Sequence, residues 1–270
     1  MIFLARSGEA QQRPLLTEEA ETVGAGRLLI EAGFDYGHDQ EYPVSGLEGN
    51  LLRFPLIGLS VGISSIAELQ IDGGFYNRLS ITDRSDAPLS SLVTATGDTT
   101  SDVEDFVVAT KIRFARETSG RPALGVRFAT KLPNASNESG LGLDTTDFYA
   151  TFLAGKTVRS IRIVGNAGLG ILADPTQGDR QNDVFTYGVS VARAVAQGFE
   201  IVGEANGRLS TRSGEPPPGT ESRSVIRVGA RYLHGAGRVD GGVQIGLTSN
   251  VPDFAFLAGY TYVFNAFLVP

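Results

Sequence analysis

Residues 27–36 read RLLIEAGFDY, and apolar and polar side chains alternate along this stretch. Leu28, Ile30 and Phe34 fall on one face of an extended chain, whereas Glu31 and Asp35 fall on the other. A period of two residues is typical of a β-strand whose two faces meet different environments. The same alternation recurs along most of the chain and no amphipathic helix interrupts it, so we count about twelve candidate strands. The sequence therefore predicts an all-β fold.

The connections between the candidate strands alternate between short and long. Long links are rich in Asp, Ser, Thr, Gly and Pro, as loops are, and they fall at residues 37–50, 79–102, 133–145, 173–183, 210–223 and 248–253. Short links fall at residues 62–66, 115–121, 155–160, 194–198 and 234–238. In an up-and-down meander this alternation places every long loop at one end, as in outer-membrane barrels. We therefore predict an antiparallel up-and-down β-barrel.

Composition excludes several classes of protein. The 270 residues contain no cysteine, which excludes a disulfide framework, a thiolate metal site and a cysteine nucleophile. The net charge of -7 argues against nucleic acid as a partner, because no basic surplus is present to displace counterions. No run of 18 uncharged apolar residues occurs, so a transmembrane helix is not expected.

The placement of charge and aromatic rings favours a membrane barrel. Aromatic residues recur near the strand ends, as in the interfacial girdles of such barrels. About eight strands already fill a barrel interior with side chains, so twelve suit a lipid-facing outside and a polar lumen. A soluble antiparallel sandwich is the alternative. In the barrel, the polar rows supply eighteen charged candidates for lining the lumen: Arg27, Glu31, Asp35, Glu68, Asp72, Asp105, Lys111, Arg113, Arg127, Lys131, Asp147, Arg162, Glu200, Glu204, Arg208, Arg227, Arg231 and Asp240.

These charged rows admit two interpretations. Opposite charges on neighbouring strands contribute on the order of 0.2–1 kcal/mol per pair, so the rows would stabilise a narrow lumen and fix the strand register. Alternatively, the bases help to guide an anionic or polar-headed solute, with Lys111, Arg127, Arg227 and Arg231 as the candidates. Matched charges are expected inside a closed barrel even where nothing passes, so the structural interpretation is the first expectation.

Several segments resemble one known family. Residues 123–148 read ALGVRFATKLPNASNESGLGLDTTDF, with a strand that ends in Lys131-Leu132-Pro133, a Gly-rich polar loop and a strand that begins near Asp147. Residues 62–74, 102–114, 198–210 and 241–264 supply further matching pieces. This pattern resembles the outer-membrane family named for the "MetA-pathway of phenol degradation", often called simply transporter. The resemblance covers most of residues 50–264.

The resemblance implies a single barrel in the bacterial outer membrane that contacts lipid and passes small solutes, including hydrophobic or aromatic ones. It supplies no agreed substrate residues. Such barrels usually end on an aromatic residue that the insertion machinery reads; Phe264 would take that place, with Phe267 as a partial substitute or residues 265–270 as a periplasmic overhang. The expected function is therefore passive passage through a monomeric barrel. The alternative is a closed structural or adhesion barrel that acts through its long loops.

The remaining expectations concern the N-terminus and catalysis. We divide the chain into an N-terminal segment, residues 1–22, and a barrel, residues 23–270. The segment would hold a signal-peptide remnant in residues 1–10, or a plain disordered tail there, and a periplasmic tail.

His38 and His234 are predicted at opposite ends of the barrel, and His38 with Ser45 is the one conceivable nucleophile pair. We therefore expect no enzyme, no cofactor and no metal site.

Overall fold

A computed structural model describes residues 13–266. It contains fourteen β-strands in the described part and one short 3₁₀ turn at Ser90–Leu92. The strands are β1 (Arg27–Tyr42), β2 (Leu47–Gly62), β3 (Ala67–Gly74), β4 (Asn77–Arg84), β5 (Thr99–Asp102), β6 (Val107–Ala115), β7 (Ala123–Lys131), β8 (Asp147–Val158), β9 (Ile161–Ala173), β10 (Gln181–Ala196), β11 (Phe199–Ser210), β12 (Arg223–His234), β13 (Gly237–Gly246) and β14 (Phe254–Asn265). No helix within residues 13–266 is long and apolar enough to cross a membrane.

The sheet closes on itself as an antiparallel barrel. All the pairings are antiparallel; the strands pair in the order β6 to β14 along the chain, β3 pairs with β6 and β2, and β2 pairs with β1. The barrel closes where β1 pairs with β14, from Arg27 opposite Asn265 to His38 opposite Phe254. Twelve strands form the wall, and β4 and β5 are two further strands. The predicted all-β, twelve-stranded up-and-down barrel is confirmed.

The two further strands extend the wall at the end with the long loops, here called the outer end. β3 and β4 lie end to end along the same edge of β2: residues 56–62 of β2 pair with β3, and residues 47–53 pair with β4. β5 then returns along β4, and β6 along β3. The prediction of one loop over residues 79–102 was therefore wrong. Its Asp, Ser and Thr content indicated a loop, but pairing with β2 and with each other holds β4 and β5 as strands.

The outer loops also differ from expectation between β1 and β2. A link was predicted at residues 37–50, whereas the strands continue to Tyr42 and resume at Leu47, so only residues 43–46 turn. Cross-strand pairs from Gln40 opposite Gly49 to Tyr42 opposite Leu47 carry the ladder through residues that read as polar. Pairing of neighbouring strands overrides local composition here.

The outer surface of the wall is apolar and the interior is polar. Large apolar side chains alternate outward along the strands, including Val228, Val239 and Phe256, each more than half exposed. Of the ten aromatic residues near strand ends that were predicted to form the girdles, Phe264 is half-buried. The other nine are exposed: Tyr36, Phe75, Phe114, Phe148, Phe185, Tyr232, Phe254, Tyr260 and Tyr262. Buried positions include charged residues such as Glu68 and Lys111, neither of which has any exposed surface. A wall that exposes hydrocarbon and buries charge suits a lipid surround and not water.

Candidate solute-binding lumen

The N-terminal segment lies inside the barrel. Residues 13–23, here called the plug, cross the lumen, and three of their apolar side chains pack on different parts of the wall. Leu15 contacts Ala192 and Val202, and Val23 contacts Leu29 and Val263. Ala20 has no exposed surface and packs with Ala123 and Leu153. The segment was expected as a periplasmic tail; its apolar residues instead find buried partners within the lumen.

The plug backbone is bonded to charged side chains of the wall. The Glu204 carboxylate accepts hydrogen bonds from the amides of Leu16 and Thr17, both at 2.7 Å, and from the Thr17 hydroxyl at 2.6 Å. The Glu68 carboxylate accepts the Val23 amide at 2.6 Å. These carboxylates satisfy buried N–H groups that no strand pairs, which is why acids recur on inward positions.

Three acids of the plug form ion pairs with wall bases. Lys111 Nζ lies 2.8 Å from Glu18 Oε1 and 2.8 Å from Glu68 Oε1, so one buried ammonium sits between two carboxylates. Glu19 pairs with Arg162, and Glu21 pairs with Arg113. A buried charge is tolerated only when it is paired, so the wall bases and plug acids fix the plug in place.

Glycines of the wall give the plug room. A Cβ added at Gly62 would lie 3.1 Å from Val23 Cγ2 of the plug, and one at Gly188 would lie 2.9 Å from Thr17 Oγ1. At Gly229 the nearest plug atom would be Pro14 Cγ at 3.0 Å. Glycine inside a strand often marks a close approach of another backbone. Part of the glycine content is thus explained by packing of the plug.

Above the plug the lumen holds a cavity of about 650 Å³. The plug residues Arg13 to Leu16 and Glu18 line it, and strands from all around the wall complete it. One part of its wall is apolar, formed by Leu51, Leu56, Ile57, Val251, Pro252 and Ala255. Another part, on β8 to β12, is polar and basic, formed by Tyr149, Thr151, Thr186, Asn206, Arg208 and Arg223. Cavities of this size hold small organic molecules.

All eighteen charged candidates are buried or half-buried, and they fall into two groups. Twelve contact the plug: Arg27, Glu31, Asp35, Glu68, Lys111, Arg113, Arg127, Arg162, Glu204, Arg227, Arg231 and Asp240. Six bond with other wall or loop groups: Asp72, Asp105, Lys131, Asp147, Glu200 and Arg208. The cavity itself is lined by eight of the eighteen, namely Glu31, Asp35, Asp72, Asp105, Arg127, Lys131, Arg208 and Arg227.

Three further wall residues, which the pattern did not assign to the cavity, also line it: Arg53, Tyr149 and Arg223. Arg53 lies in a run that reads as apolar, yet it pairs with Asp35 at 2.6 Å and with Glu104 at 3.1 Å. Tyr149 and Arg223 occupy inward positions on β8 and β12. Arg223 follows the period of Arg227 and Arg231, so the alternation itself could have found it. Arg53 gave no such signal.

The ladder of the wall is interrupted beside the cavity. β3 pairs with β6 up to Asp72 opposite Val107, and β4 pairs with β5 from Asn77 opposite Asp102. Between these two ladders, residues 73–76 and 103–106 have no ladder pairing with each other. A hydrogen bond of 2.7 Å from the Glu104 amide to the Gly74 carbonyl bridges this interval. The Phe106 ring covers Gly73, where an added Cβ would lie 2.4 Å from Cδ1. Gly73 lines the cavity as well, so the wall is thin here.

The histidines form no catalytic pair. His38 stacks on Phe254 with ring centroids 4.8 Å apart, whereas the Ser45 hydroxyl donates to the Gly140 carbonyl at 2.8 Å. His234 is the last residue of β12 and lies at the opposite end of the barrel. Within residues 13–266, the group whose side chains could hold a metal ion is His38, Asp39 and Asp253, with candidate ligand atoms within 4.8 Å of one another. This trio is partly exposed and does not line the cavity.

Comparisons with known proteins agree with this architecture. A family model described as "Putative MetA-pathway of phenol degradation" matches residues 11–264. A comparison with curated proteins finds no significant match.

Solved structures share the fold. The COG4313 outer membrane channel from Pseudomonas putida F1 superposes with a TM-score of 0.64 at 14% identity, covering 91% of this chain and 98% of that one. The NanC porin gives 0.53 at 9% identity, covering 87% and 98%. The translocator domain of autotransporter NalP from Neisseria meningitidis gives 0.51 at 12% identity, covering 89% of each chain. The closed barrel with its apolar outside is thus of the outer-membrane type.

Proposed function

This chain belongs to the "MetA-pathway of phenol degradation" family of outer-membrane barrels, and we propose that it is a channel for passive passage of small solutes, including hydrophobic or aromatic ones. The observation that carries the proposal is the cavity of about 650 Å³ between the plug and the outer loops. A barrel with only a structural role needs no such space, because side chains can fill a narrow lumen. The similar channel and porin structures support the same role.

Passage requires a route beyond the cavity, because the plug crosses the lumen below it and packs on several parts of the wall. One route opens when the plug leaves its site on the wall. The other leads sideways through the thin wall at Gly73, past Phe106. The first route is favoured, because the plug is held by polar groups that water can replace, whereas the second leads a solute into lipid. No cofactor or energy input enters either route.

The proposal includes three further statements about the protein. It acts as a monomer, it meets the barrel-insertion machinery through the aromatic end of β14, where Phe264 lies opposite Leu28, and it is not an enzyme. Phe267 and the predicted signal remnant in residues 1–10 lie outside the described residues.

The test is conductance and solute uptake by the purified full chain. In planar bilayers we expect discrete conductance steps, and in liposomes we expect swelling with a small sugar such as arabinose, which lipid itself does not pass. Empty liposomes and heat-denatured protein are the controls. If both the wild type and a variant with a weakened plug conduct no more than the empty bilayer, the channel is refuted. The closed structural barrel then becomes the better assignment.

A further inference from the structure

Two arginines face each other in the outer part of the cavity wall. Arg208 on β11 and Arg223 on β12 are directly opposite in the strand register, and both line the cavity. Like charges at opposite positions of neighbouring strands destabilise a sheet. A pair of this kind is therefore expected to have a counter-charge.

The described residues do not supply that counter-charge within ion-pair distance. Arg208 donates to the backbone carbonyls of Glu221 at 2.9 Å and Gly219 at 2.8 Å. No hydrogen bond or ion pair joins the Arg223 side chain to any residue in 13–266, and its Nε is buried without a partner. The Glu221 carboxylate is engaged elsewhere, by the Gly219 amide at 2.7 Å and by Asn250 Nδ2 at 3.4 Å.

The other bases that line the cavity contrast with this pair. Arg53 has Asp35 at 2.6 Å, Lys131 has Asp105 at 2.9 Å, and Arg127 has Glu18 at 3.4 Å. Burying a guanidinium without a partner is costly, and its planar fork suits a carboxylate held by two parallel hydrogen bonds. The Arg223 guanidinium, which has no partner among residues 13–266, therefore marks where an anion would sit.

The other residues that line the cavity indicate the chemistry of the rest of the anion. Leu51, Leu56 and Ile57 on β2 offer an apolar surface, which Pro252 and Ala255 extend. The Thr186 hydroxyl, also on the cavity wall, is buried without a partner among the described residues. A wholly polar anion would leave the apolar surface uncovered, and a wholly apolar solute would leave Arg223 unpaired.

We propose that the cavity binds a small amphiphilic carboxylate, with its carboxylate on Arg208 and Arg223 and its apolar body against the β2 side of the wall. This proposal rests on the proposed channel function and names its solute class. It differs from the alternative interpretation of the sequence, in which Lys111, Arg127, Arg227 and Arg231 guide an anionic solute. Lys111 and Arg127 pair with Glu18 of the plug, whereas Arg227 and Arg231 donate to the plug carbonyls of Pro14 and Arg13.

The test measures equilibrium binding to the full chain in detergent by calorimetry at pH 7. The probes are benzoate, its neutral counterpart benzyl alcohol, acetate and inorganic phosphate. We expect benzoate to bind more tightly than the other three. Arg223→Gln should weaken benzoate at least tenfold and leave benzyl alcohol unchanged. Arg223→Lys should fall between the two, because lysine keeps the charge but not the fork.

Arg212→Gln is the matched control, since it removes the same charge from an exposed loop residue at the same end of the barrel. Heat-modifiable gel migration checks that each variant is folded, and Arg223→Lys supplies the comparison if Arg223→Gln does not fold. Equal benzoate affinity in wild type and the Arg223 variant would overturn the proposal, as would equal affinity for acetate or phosphate. Conductance without benzoate binding rejects this inference alone, whereas absent conductance rejects the channel.

Discussion

Replacing Glu18 with Gln should loosen the plug. The Glu18 carboxylate accepts Lys111 Nζ at 2.8 Å and Gln70 Nε2 at 3.0 Å, and Lys111 has no exposed side-chain surface. Removing one member of a buried ion pair costs about 3–5 kcal/mol. Glu68 still faces Lys111 at 2.8 Å in the variant, so we expect a cost of about 3 kcal/mol, at the lower limit. That cost raises the population of the displaced plug about 100-fold, since about 1.4 kcal/mol is a factor of ten.

The population of the displaced plug can be measured by cysteine labelling. The chain has no cysteine, and Thr22 is 7% exposed, so Thr22→Cys places one buried thiol on the plug. Its rate of reaction with a water-soluble maleimide follows the opened population when reclosing is fast. We expect Glu18→Gln to raise this rate about 100-fold, and to raise the open probability in bilayers in the same direction.

The matched control is Glu104→Gln. It removes a lumenal acid that pairs with Arg53 of the wall at 3.1 Å and not with the plug, so the labelling rate should stay unchanged. If Glu18→Gln folds, and its thiol reacts no faster than the control, the ion pair does not hold the plug and the reasoning is refuted.

Two further predictions address packing and pH. Gly188→Val should raise the labelling rate of the Thr22→Cys thiol, because the valine side chain would meet Thr17 of the plug. Gly165→Val is the control and should leave the rate unchanged, since no atom lies within 4 Å of the added Cβ. Equal rates in both variants would contradict the role of wall glycines in packing the plug. In the outer loop after β9, burial raises the pKa of Asp174, but hydrogen bonds from Thr176 and Gln177 outweigh it and lower the pKa below its usual value. This carboxylate therefore stabilises the loop above the ordinary pKa of aspartate, and the stability is lost as pH falls through the lowered pKa. Hydrogen exchange should show the Thr176 and Gln177 amides protected at pH 5 and exposed in Asp174→Ala at the same pH; no change in the variant would contradict the assignment.

Much of the wall follows from the pattern of the sequence. Alternation fixes which side chains share a face, because successive residues of a strand point to opposite sides whatever they pair with. Glu204 and Arg227 could thus be placed on the inner face without coordinates, and Val228 on the outer face. The loops were less predictable: Gln40 to Tyr42 read as a loop, yet pairing with β2 extends β1 through them.

The plug could not be read from the same pattern. Residues 13–23 have no strand period, and their acids Glu18, Glu19 and Glu21 resemble a solvated tail. Their partners Lys111, Arg113 and Arg162 lie about 90 to 140 residues later in the chain, and only closure of the barrel brings them together. The charged residues that were predicted to form ladders between strands mostly contact the plug, which has no strand period and so was not predicted to lie in the lumen.

The twelve-stranded wall, with its apolar outer face and charged inner face, could be predicted from the residues alone, because a two-residue period is a local property of extended chain. The roles of the inward charges became visible only in the folded barrel: some hold the plug, some pair across the wall, and Arg223 faces the cavity. Ion pairing depends on distances between side chains from remote strands, and those distances exist only once the barrel has closed.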